Sequence, residues 1–257
     1  MNKKASPFHP SVWIAYWLSC LCSFACYADL HLDENFSAQR LAPEISYICG
    51  DENHYTLNEA KRLNFAPITH KEISFGFTQS DCWFHFRATN TGDKPLALVL
   101  SSDFNLFDHL DFYIPSSGKI VKKSIGDTIS YNQRELKVRT LSIPFTINAK
   151  ETHDYYLHAK TSSTFYLPLQ LSSYPEFINV NDKIDTLIGL FYGMVIGLFL
   201  YHLFLFILTR EKVQILYIFY VINTLLFFAA EQGSLFRFWP SSTTLNNFSI
   251  YTFAFLV

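Results

Sequence analysis

Charged side chains are scarce in this sequence: only 16% of its 257 residues are Asp, Glu, Lys or Arg, whereas soluble domains usually carry about 25%. Hydrophobic residues make up 49% of the chain, and the mean hydropathy is positive at +0.12. These values are typical of a protein with a membrane-embedded part. The formal net charge of -2 leaves no basic excess, so we expect no nucleic-acid partner.

Catalytic and cofactor motifs are missing as well. The sequence contains no His-Glu-x-x-His, no Gly-x-Ser-x-Gly, no P-loop and no Gly-x-Gly-x-x-Gly. His31 and Asp33, like His109 and Asp111, are two residues apart, so each pair would share a strand face that could hold a metal. Such pairs are frequent by chance, and we expect no metal site. We also expect no cofactor and no enzymatic activity from these residues.

The first 28 residues have the order of a secretory signal. Lys3 and Lys4 precede an apolar stretch at residues 12–24, and small residues stand at positions 26 and 28. We predict a signal peptide over residues 1–28, cleaved after Ala28. An uncleaved membrane anchor is the alternative. In both cases the two lysines stay inside and the following domain is exported.

Residues 29–180 are polar, rich in β-forming residues and divided by turn signals. The candidate strands are residues 44–49, 82–90, 95–101, 109–114, 139–145, 153–161 and 165–172. Many short strands at this spacing predict an all-β sandwich or jelly roll. Thr56 and Glu59 have the spacing of a capping box and predict one short helix.

Two of these strands carry aromatic and hydrogen-bonding side chains on one face and core residues on the other. The predicted ligand-facing residues are Trp83, His85, Arg87, Tyr156 and His158. Aromatic plates beside polar groups suit a sugar or a peptide, because apolar ring faces stack and hydroxyls are hydrogen-bonded. The alternative is the mixed outer face of a sandwich that binds nothing.

Two cysteines, Cys49 and Cys82, follow the predicted cleavage site. An oxidising compartment outside the cytoplasm permits a disulfide between them. The sequence does not give their separation, so two free thiols are the alternative.

Residues 184–257 are predicted to form transmembrane helices, at about 186–208, 213–230 and 248–257. The last run has about half of the roughly 20 apolar residues that a spanning helix needs. We therefore expect the sequence to be the N-terminal fragment of a longer protein. Arg210 and Lys212 lie in the loop after the first span and predict that this loop is cytoplasmic. The result is a multi-pass protein of the bacterial inner membrane with a periplasmic N-terminal domain.

Two features of the first span are candidates for interaction. Gly189, Gly193 and Gly197 recur every four residues and predict a face on which another helix packs closely, although glycine is also common in spanning helices. His202 is an ionisable group near the cytoplasmic end, which is a candidate functional position. We favour the simpler interpretation, in which a neutral imidazole bonds a neighbouring side chain.

Several motifs appear together in one order. They are Phe75-Gly76, residues 83–90, Gly126-Asp127 with Arg134, Tyr156-Leu157, Leu167-Pro168-Leu169, Tyr192-Gly193, residues 201–210, Tyr217 and Tyr220. With this order the chain resembles the bacterial seven-transmembrane receptors with diverse intracellular signalling modules (7TMR-DISM). Their type 2 extracellular domain (7TMR-DISMED2) is similar over roughly residues 35–175.

The resemblance implies a jelly roll like those of carbohydrate-binding modules, seven helices, and a cytoplasmic output module such as a diguanylate cyclase, histidine kinase or phosphatase. The chain departs from the family pattern at His85 and His158, where Arg is favoured, and at His202, where Asn is favoured. Imidazole titrates near neutral pH, so ligand binding by this chain would depend on pH.

We therefore expect a signal-transducing receptor whose partners are membrane lipid and a small ligand, with carbohydrate as the leading class. A homodimer is left open. One alternative is a transporter component that uses the β domain to capture substrate. Another is a membrane-anchored adhesive or carbohydrate-binding module without output. A soluble output domain after residue 257 would distinguish the receptor from both.

Overall fold

The computed structural model describes residues 29–50, 55–78, 81–116, 118–162 and 164–238. The predicted signal peptide and the predicted third span lie outside these residues. The strands are β1 (Asp29–Leu32), β2 (Ala38–Arg40), β3 (Ser46–Gly50), β4 (Ala66–Pro67), β5 (Ser74–Phe77), β6 (Asp81–Asn90), β7 (Leu96–Ser102), β8 (His109–Ser116), β9 (Lys119–Ile125), β10 (Leu141–Ile147), β11 (Thr152–Lys160), β12 (Thr164–Tyr166) and β13 (Leu169–Ser173). The helices are α1 (Leu57–Ala60), α2 (Tyr174–Thr209), α3 (Lys212–Glu231) and α4 (Leu235–Phe238).

Two sheets form a sandwich, which confirms the predicted fold class. The larger sheet has the strand order β4-β3-β6-β11-β8-β9, and β1 pairs in parallel with one half of β6. The smaller sheet has the order β10-β7-β13-β2, and β12 pairs separately with β5. Alternate side chains of both sheets point into the space between them, so that each strand has a core face and an outer face.

The core between the sheets is built largely from aromatic rings. Phe86 and Phe112 both stack on Tyr155, at centroid distances of 5.1 Å and 5.6 Å, and Phe145 meets Phe112 edge to face at 5.2 Å. All of these side chains are buried. Each such pair adds about 0.5–1.5 kcal/mol beyond the burial of its area, so the aromatic residues of the alternating strands hold the two sheets together.

The strand predictions omitted β1, β2, β4, β5 and β9, and they merged β12 with β13. Residues 165–172 form two strands, β12 and β13, because the chain leaves one sheet at Leu167-Pro168 and enters another. Strand β9 was not predicted, because its five exposed positions and three lysines do not give an apolar pattern. It is an edge strand of the larger sheet, where lysines commonly prevent pairing with other chains.

Cys49 on β3 lies directly opposite Cys82 on β6. The two residues form a disulfide, with Cα atoms 4.2 Å apart. The bond links β3 to the neighbouring strand β6 within the larger sheet. It closes a loop of 33 residues that contains helix α1 and strand β5.

Gly126 lies directly after β9, with a φ of 158°. A side chain at this position would overlap the main-chain carbonyl group of Asp108. The Arg134 side chain is buried and donates to the carbonyl oxygen of Gly126 at 3.3 Å. Tyr131 lies under its guanidinium at 5.5 Å. Burial lowers the pKa of Arg134, although the buried carboxylate of Asp127 acts the other way.

Helix α2 begins at Tyr174, directly after strand β13 and without a linker. The prediction ended the β domain at residue 180 and began the helix at about 186. Hydropathy detects only the apolar part of a helix, whereas the polar first turns carry the start signals Pro175 and Glu176. The 36 residues of α2 span about 54 Å at 1.5 Å per residue.

Helices α2 and α3 form an antiparallel hairpin that turns at Arg210, a non-glycine residue in the left-handed conformation. Phe191 meets Phe228 edge to face across the hairpin at 5.5 Å. Both helices are long and apolar enough to cross a membrane, judged by length and composition. Because α3 runs back toward the β domain, the start of the apolar part of α2 and the end of α3 lie side by side.

His202 contacts α3 near the turn of the hairpin. Its Nδ1 lies 2.9 Å from Oε1 of Gln214, and its ring stacks on Tyr217 at 5.1 Å. These contacts agree with the simpler interpretation of this residue, a ring bonded to a neighbouring side chain.

Gly189, Gly193 and Gly197 lie on a side of α2 that α3 does not cover. Among the described residues, no atom lies within 4 Å of the place that a Cβ would take at any of the three. Helix α3 is therefore not the neighbour that the glycine spacing predicts. The close packing of another helix on this face stays a prediction.

Candidate ligand-binding face

The register of β6 and β11 brings the five predicted residues onto one surface. Tyr156 lies opposite His85, and His158 lies opposite Trp83. Strand β8 continues the surface, because Asp111 lies opposite His158. We call this surface the outer face of the larger sheet. Its members are Asp81, Trp83, His85, Arg87, Asp154, Tyr156, His158, Lys160, His109, Asp111, Tyr113 and Lys122.

Trp83 is buried beneath this face and does not expose its ring to solvent. Its ring lies 4.9 Å from the His158 ring and stacks on Tyr113 at 5.4 Å. Only 2% of the residue is accessible to solvent. Its indole N–H has no hydrogen-bond partner in the described part of the chain. Tyr113 is half-buried, so Tyr113 rather than Trp83 leaves part of its ring accessible at this point of the face.

The segment between β3 and β4 covers the part of the face around His85 and Tyr156. Helix α1 in this segment has the predicted capping box, with the Thr56 main-chain N–H donating to Glu59 Oε2 at 2.7 Å. Farther along, the Phe65 ring lies 5.6 Å from His85 and 6.2 Å from Tyr156. His85 is consequently buried. The half around Tyr113 lies on β8 and its neighbours, away from these contacts, and we call it the open half.

Asp111 anchors the open half. It lies 2.8 Å from His109 Nε2 and 2.8 Å from Lys122 Nζ, and it accepts a hydrogen bond from Ser124 Oγ at 2.5 Å. The carboxylate side chain is only 4% exposed. Burial acts to raise the pKa of Asp111, but these hydrogen bonds outweigh it and hold the pKa well below its usual range. Asp111 is therefore a permanent anion of the face.

His158 lies between two buried carboxylates. Its Nδ1 is 3.6 Å from Asp111 and its Nε2 is 3.6 Å from Asp81. Asp81 in turn pairs with Lys160 at 3.0 Å, as Asp111 pairs with Lys122. Both lysine side chains are about half exposed, at 50% and 48%. The open half thus presents two anchored ammonium groups on either side of an imidazole and a tyrosine ring.

The part of the face around His85 and Arg87 holds a separate charged group, in which the Arg87 and Asp154 side chains are 44% and 40% exposed. Asp154 Oδ1 lies 2.9 Å from His85 Nε2 and accepts from Arg87 Nε at 3.0 Å. Burial acts to raise the pKa of Asp154, but the hydrogen bonds from Arg87 and His85 outweigh it and lower that pKa. Burial lowers the pKa of His85, although its hydrogen bond with Asp154 acts the other way. The ring of His85 is consequently harder to protonate than a free imidazole.

Neither His–Asp pair noted in the sequence belongs to a metal cluster. His109 and Asp111 contact each other directly at 2.8 Å, and the carboxylate is occupied by Lys122 as well. In the ranges that the structure describes, no three His, Cys, Asp or Glu side chains are arranged to hold a metal ion.

Seven members of the outer face were not predicted to face a ligand: Asp81, Asp154, Lys160, His109, Asp111, Tyr113 and Lys122. Asp111 and Tyr113 alternate with core residues along β8, and this signal was available. The sequence carries no such signal for Lys122, because β9 was not predicted and its pairing with β8 is a feature of the tertiary structure.

A cleft of about 400 Å³ lies elsewhere in the domain, where β8 and β9 of one sheet meet β10 and β7 of the other. Its walls include Ile114, Val121, Phe145 and Tyr174, the first residue of α2. The ion pair of Lys123 with Glu135, at 2.7 Å, also lines it. This cleft is mainly apolar, whereas the outer face is charged and aromatic, so the two would accept different ligands.

Solved structures show only distant similarity to this chain. One is the crystal structure of the GH31 alpha-xylosidase (Xac1773) from Xanthomonas citri, with 12% identity and a TM-score of 0.25, covering 50% of this chain and 15% of that chain. Another is CsCBM6-3 from Clostridium stercorarium in complex with cellobiose, with 11% identity and a TM-score of 0.18, covering 50% of this chain and 88% of that chain. Similarity at this level carries no argument about function.

Two family descriptions match this chain. The description "7TMR-DISM extracellular 2" matches residues 42–173, more than half of the chain. The description "7TM diverse intracellular signalling" matches residues 184–257. A search of curated proteins found no match. Both matched domains are receptor domains, and their order is the order of the sandwich and the apolar helices. The chain therefore belongs to the 7TMR-DISM family and is a membrane receptor with an extracellular domain.

Proposed function

We propose that this chain is the sensing part of a multi-pass receptor of the bacterial inner membrane, and that its periplasmic domain binds a carbohydrate on the open half of the outer face. The observation that carries this proposal is the arrangement around Tyr113. A half-buried aromatic ring lies beside Lys122, and the lysine is held by the buried carboxylate of Asp111. His158 and Lys160 extend the polar surface on the other side.

This arrangement suits a hydroxyl-rich ring. The C–H face of a sugar stacks on an aromatic side chain, while its hydroxyls bond the polar groups around it. Lys122 and Lys160 each have three N–H donors, and the ion pairs with Asp111 and Asp81 use only part of them. Because the carboxylates hold the lysines in place, less side-chain freedom is lost when a ligand binds.

The connection to the helices supplies a route for the signal. Strand β13 continues directly into α2, so a shift of the smaller sheet moves the helix. Arg139 of the β domain pairs with Asp185 of α2, at 3.4 Å from Nε to Oδ1. A ligand that binds one arrangement of domain and helices better than another shifts the population toward it. The output module implied by the family would read this shift on the cytoplasmic side.

The proposed topology can be tested at the hairpin. Arg210 and Lys212 lie at the end of the hairpin opposite to the β domain. A reporter enzyme inserted between them should be active only when it is of the cytoplasmic type. A second reporter placed after Lys150, in an exposed turn of the β domain, should behave in the opposite way. Periplasmic activity at the hairpin would exclude the topology.

Ligand binding is tested by titrating the purified full chain, in detergent, with a panel of oligosaccharides. Tyr113→Ala should weaken binding of the selected sugar at least tenfold, about 1.4 kcal/mol, because the stacking surface is removed. Tyr166→Ala is the matched control, since Tyr166 is a half-buried tyrosine on β12 outside this face. Near-ultraviolet circular dichroism verifies that both variants are folded.

Two results would contradict the proposal. If no sugar in the panel binds the folded wild-type chain, the ligand class is wrong. If a sugar binds and Tyr113→Ala leaves its affinity unchanged, the site is elsewhere. In that second case Val121→Lys, which would partly fill the apolar cleft, shows whether the cleft is the true site.

A further inference from the structure

A cavity of about 260 Å³ lies where the β domain meets the two long helices. We call it the junction cavity. Its walls come from the loop before β10, from the start of the apolar part of α2, and from the turn between α3 and α4. The residues that matter here are Lys137, Arg139, Asp185, Gly189, Tyr192 and Arg237. None of them belongs to the outer face.

Positive charge dominates this cavity. Lys137, Arg139 and Arg237 line it together with a single carboxylate, Asp185. Asp185 is 3.4 Å from Arg139 Nε, which makes no hydrogen bond among the described residues although its side chain is only 14% exposed. Arg237 is exposed and has no carboxylate partner in the part of the chain that the structure describes. The cavity therefore holds two more cations than anions.

Lys137 is held in place without being neutralised. Its Nζ donates to the main-chain carbonyl oxygens of Tyr131 at 3.2 Å and of Asn132 at 2.6 Å. An ammonium group has three donors, so one remains for a ligand in the cavity. The Tyr131 ring lies 5.6 Å below the same ammonium group and limits its movement.

The junction cavity lies at the level of the membrane surface. Gly189 and Tyr192 belong to the first turns of the apolar stretch of α2, whereas Lys137 and Arg139 belong to the water-facing domain. The cavity thus lies at the boundary between the two, where lipid headgroups are found. Three basic side chains that line a cavity at this depth suit the negatively charged phosphate of a headgroup.

We propose that the junction cavity binds a phosphate group, presented either by the headgroup of an anionic phospholipid or by a soluble phosphate compound. The guanidinium groups of Arg139 and Arg237 have the planar donor geometry that matches phosphate oxygens, and Lys137 adds a point charge. The bound group would contact the β domain, α2 and the α3–α4 turn at once. It would therefore stabilise one arrangement of the domain on its helices, independently of any ligand on the outer face.

The test uses the purified full chain in detergent with equal amounts of phosphatidylglycerol and phosphatidylcholine of identical acyl chains. Native mass spectrometry counts the lipids that each protein retains. The wild type should retain phosphatidylglycerol in preference to phosphatidylcholine, and Arg237→Gln should lower that preference at least fivefold. Arg237 is exposed, so this variant is expected to fold. Arg139→Gln, which removes a second cavity cation, should have the same effect.

Arg210→Gln is the matched control, because it removes the same charge at the opposite end of α2. A second arm adds inorganic phosphate to lipid-free protein and measures the shift in melting temperature. Retention of phosphatidylglycerol alone identifies the lipid source, and a phosphate shift that Arg237→Gln abolishes identifies the soluble source. The proposal is overturned if Arg210→Gln and Arg237→Gln lower lipid retention equally, or if the wild type shows neither lipid preference nor phosphate shift.

Discussion

The side-chain amide of Asn105 donates a hydrogen bond to the main-chain carbonyl oxygen of Gln232 at 3.1 Å. This contact joins a buried loop residue of the β domain to the end of α3, although 127 positions separate the two in sequence. The next residue, Gly233, has a φ of +75°, and a Cβ there would lie 2.8 Å from the Asn105 amide nitrogen. Tyr192 of α2 donates to the Gln232 side chain at 3.2 Å. One polar cluster therefore ties the domain to both helices.

Removing the Asn105 amide should loosen this junction. Asn105→Leu keeps the volume but loses the hydrogen bond, which is worth about 1 kcal/mol. We expect hydrogen exchange of the amides in residues 233–235 to become about fivefold faster. Mass spectrometry of deuterium uptake measures this. Asn148→Leu, which removes an exposed hydrogen bond to Glu151, should leave these amides unchanged, and equal rates in Asn105→Leu would show that the contact does not hold the junction.

Asp111 should be important for stability as well as for the face. Asp111→Asn leaves Lys122 and His109 without their anionic partner, and hydrogen bonds to charged groups contribute about 1.5–3 kcal/mol. We expect the urea midpoint of the β domain to fall by an amount equivalent to about 2 kcal/mol. Asp93→Asn provides the comparison: Asp93 pairs with Lys150 at 2.8 Å but is exposed. A midpoint that responds equally to both changes would contradict the anchoring role of Asp111.

The stability of the β domain should depend on His85 in mildly acidic solution. Burial lowers the pKa of His85 below its ordinary 6.5, so the folded state binds fewer protons here than the unfolded chain. Stability is then lost as the pH falls below about 6.5. The urea midpoint of the wild type should decrease between pH 7.5 and pH 5.5, and His85→Gln should reduce this decrease. His31→Gln, which changes an exposed histidine of β1, should retain the full decrease.

The disulfide should contribute strongly to the free energy of unfolding of the β domain. Cross-linking a loop of 33 residues stabilises a fold by about 3–4 kcal/mol in the chain-entropy description. We expect dithiothreitol to lower the urea midpoint of the wild type by a corresponding amount. The double variant Cys49→Ser, Cys82→Ala should already have the lower midpoint and should not respond to the reductant. A wild type that is insensitive to reduction, with both thiols shown to be free, would contradict this expectation.

Local sequence pattern was sufficient to predict part of the fold and part of the outer face. A strand places alternate residues on opposite faces wherever it pairs, so the faces of β6 and β11, and the grouping of Trp83 with His85 on one of them, followed from sequence. The capping box at Thr56 depends on residues three positions apart and was predicted for the same reason. The two long apolar helices followed from the length of apolar runs alone.

Other features depend on residues that are distant in sequence. Lys122 reaches Asp111 only because β9 pairs with β8, and Trp83 is buried because His158 and Tyr113 from two other strands lie against it. Nothing in the alternation along β6 distinguishes an exposed indole from a covered one. The covering segment around Phe65 is likewise placed by tertiary contacts.

The sequence alone determined the partition of this protein into a β sandwich and apolar helices, because that partition depends on periodicity and composition within short windows. Only the tertiary structure decided which side chains of the outer face are accessible and how the domain is held on its helices. The start of α2 at Tyr174 and the bond from Asn105 to Gln232 depend on strand order and helix packing. These are properties of the whole folded chain, and no local pattern encodes them.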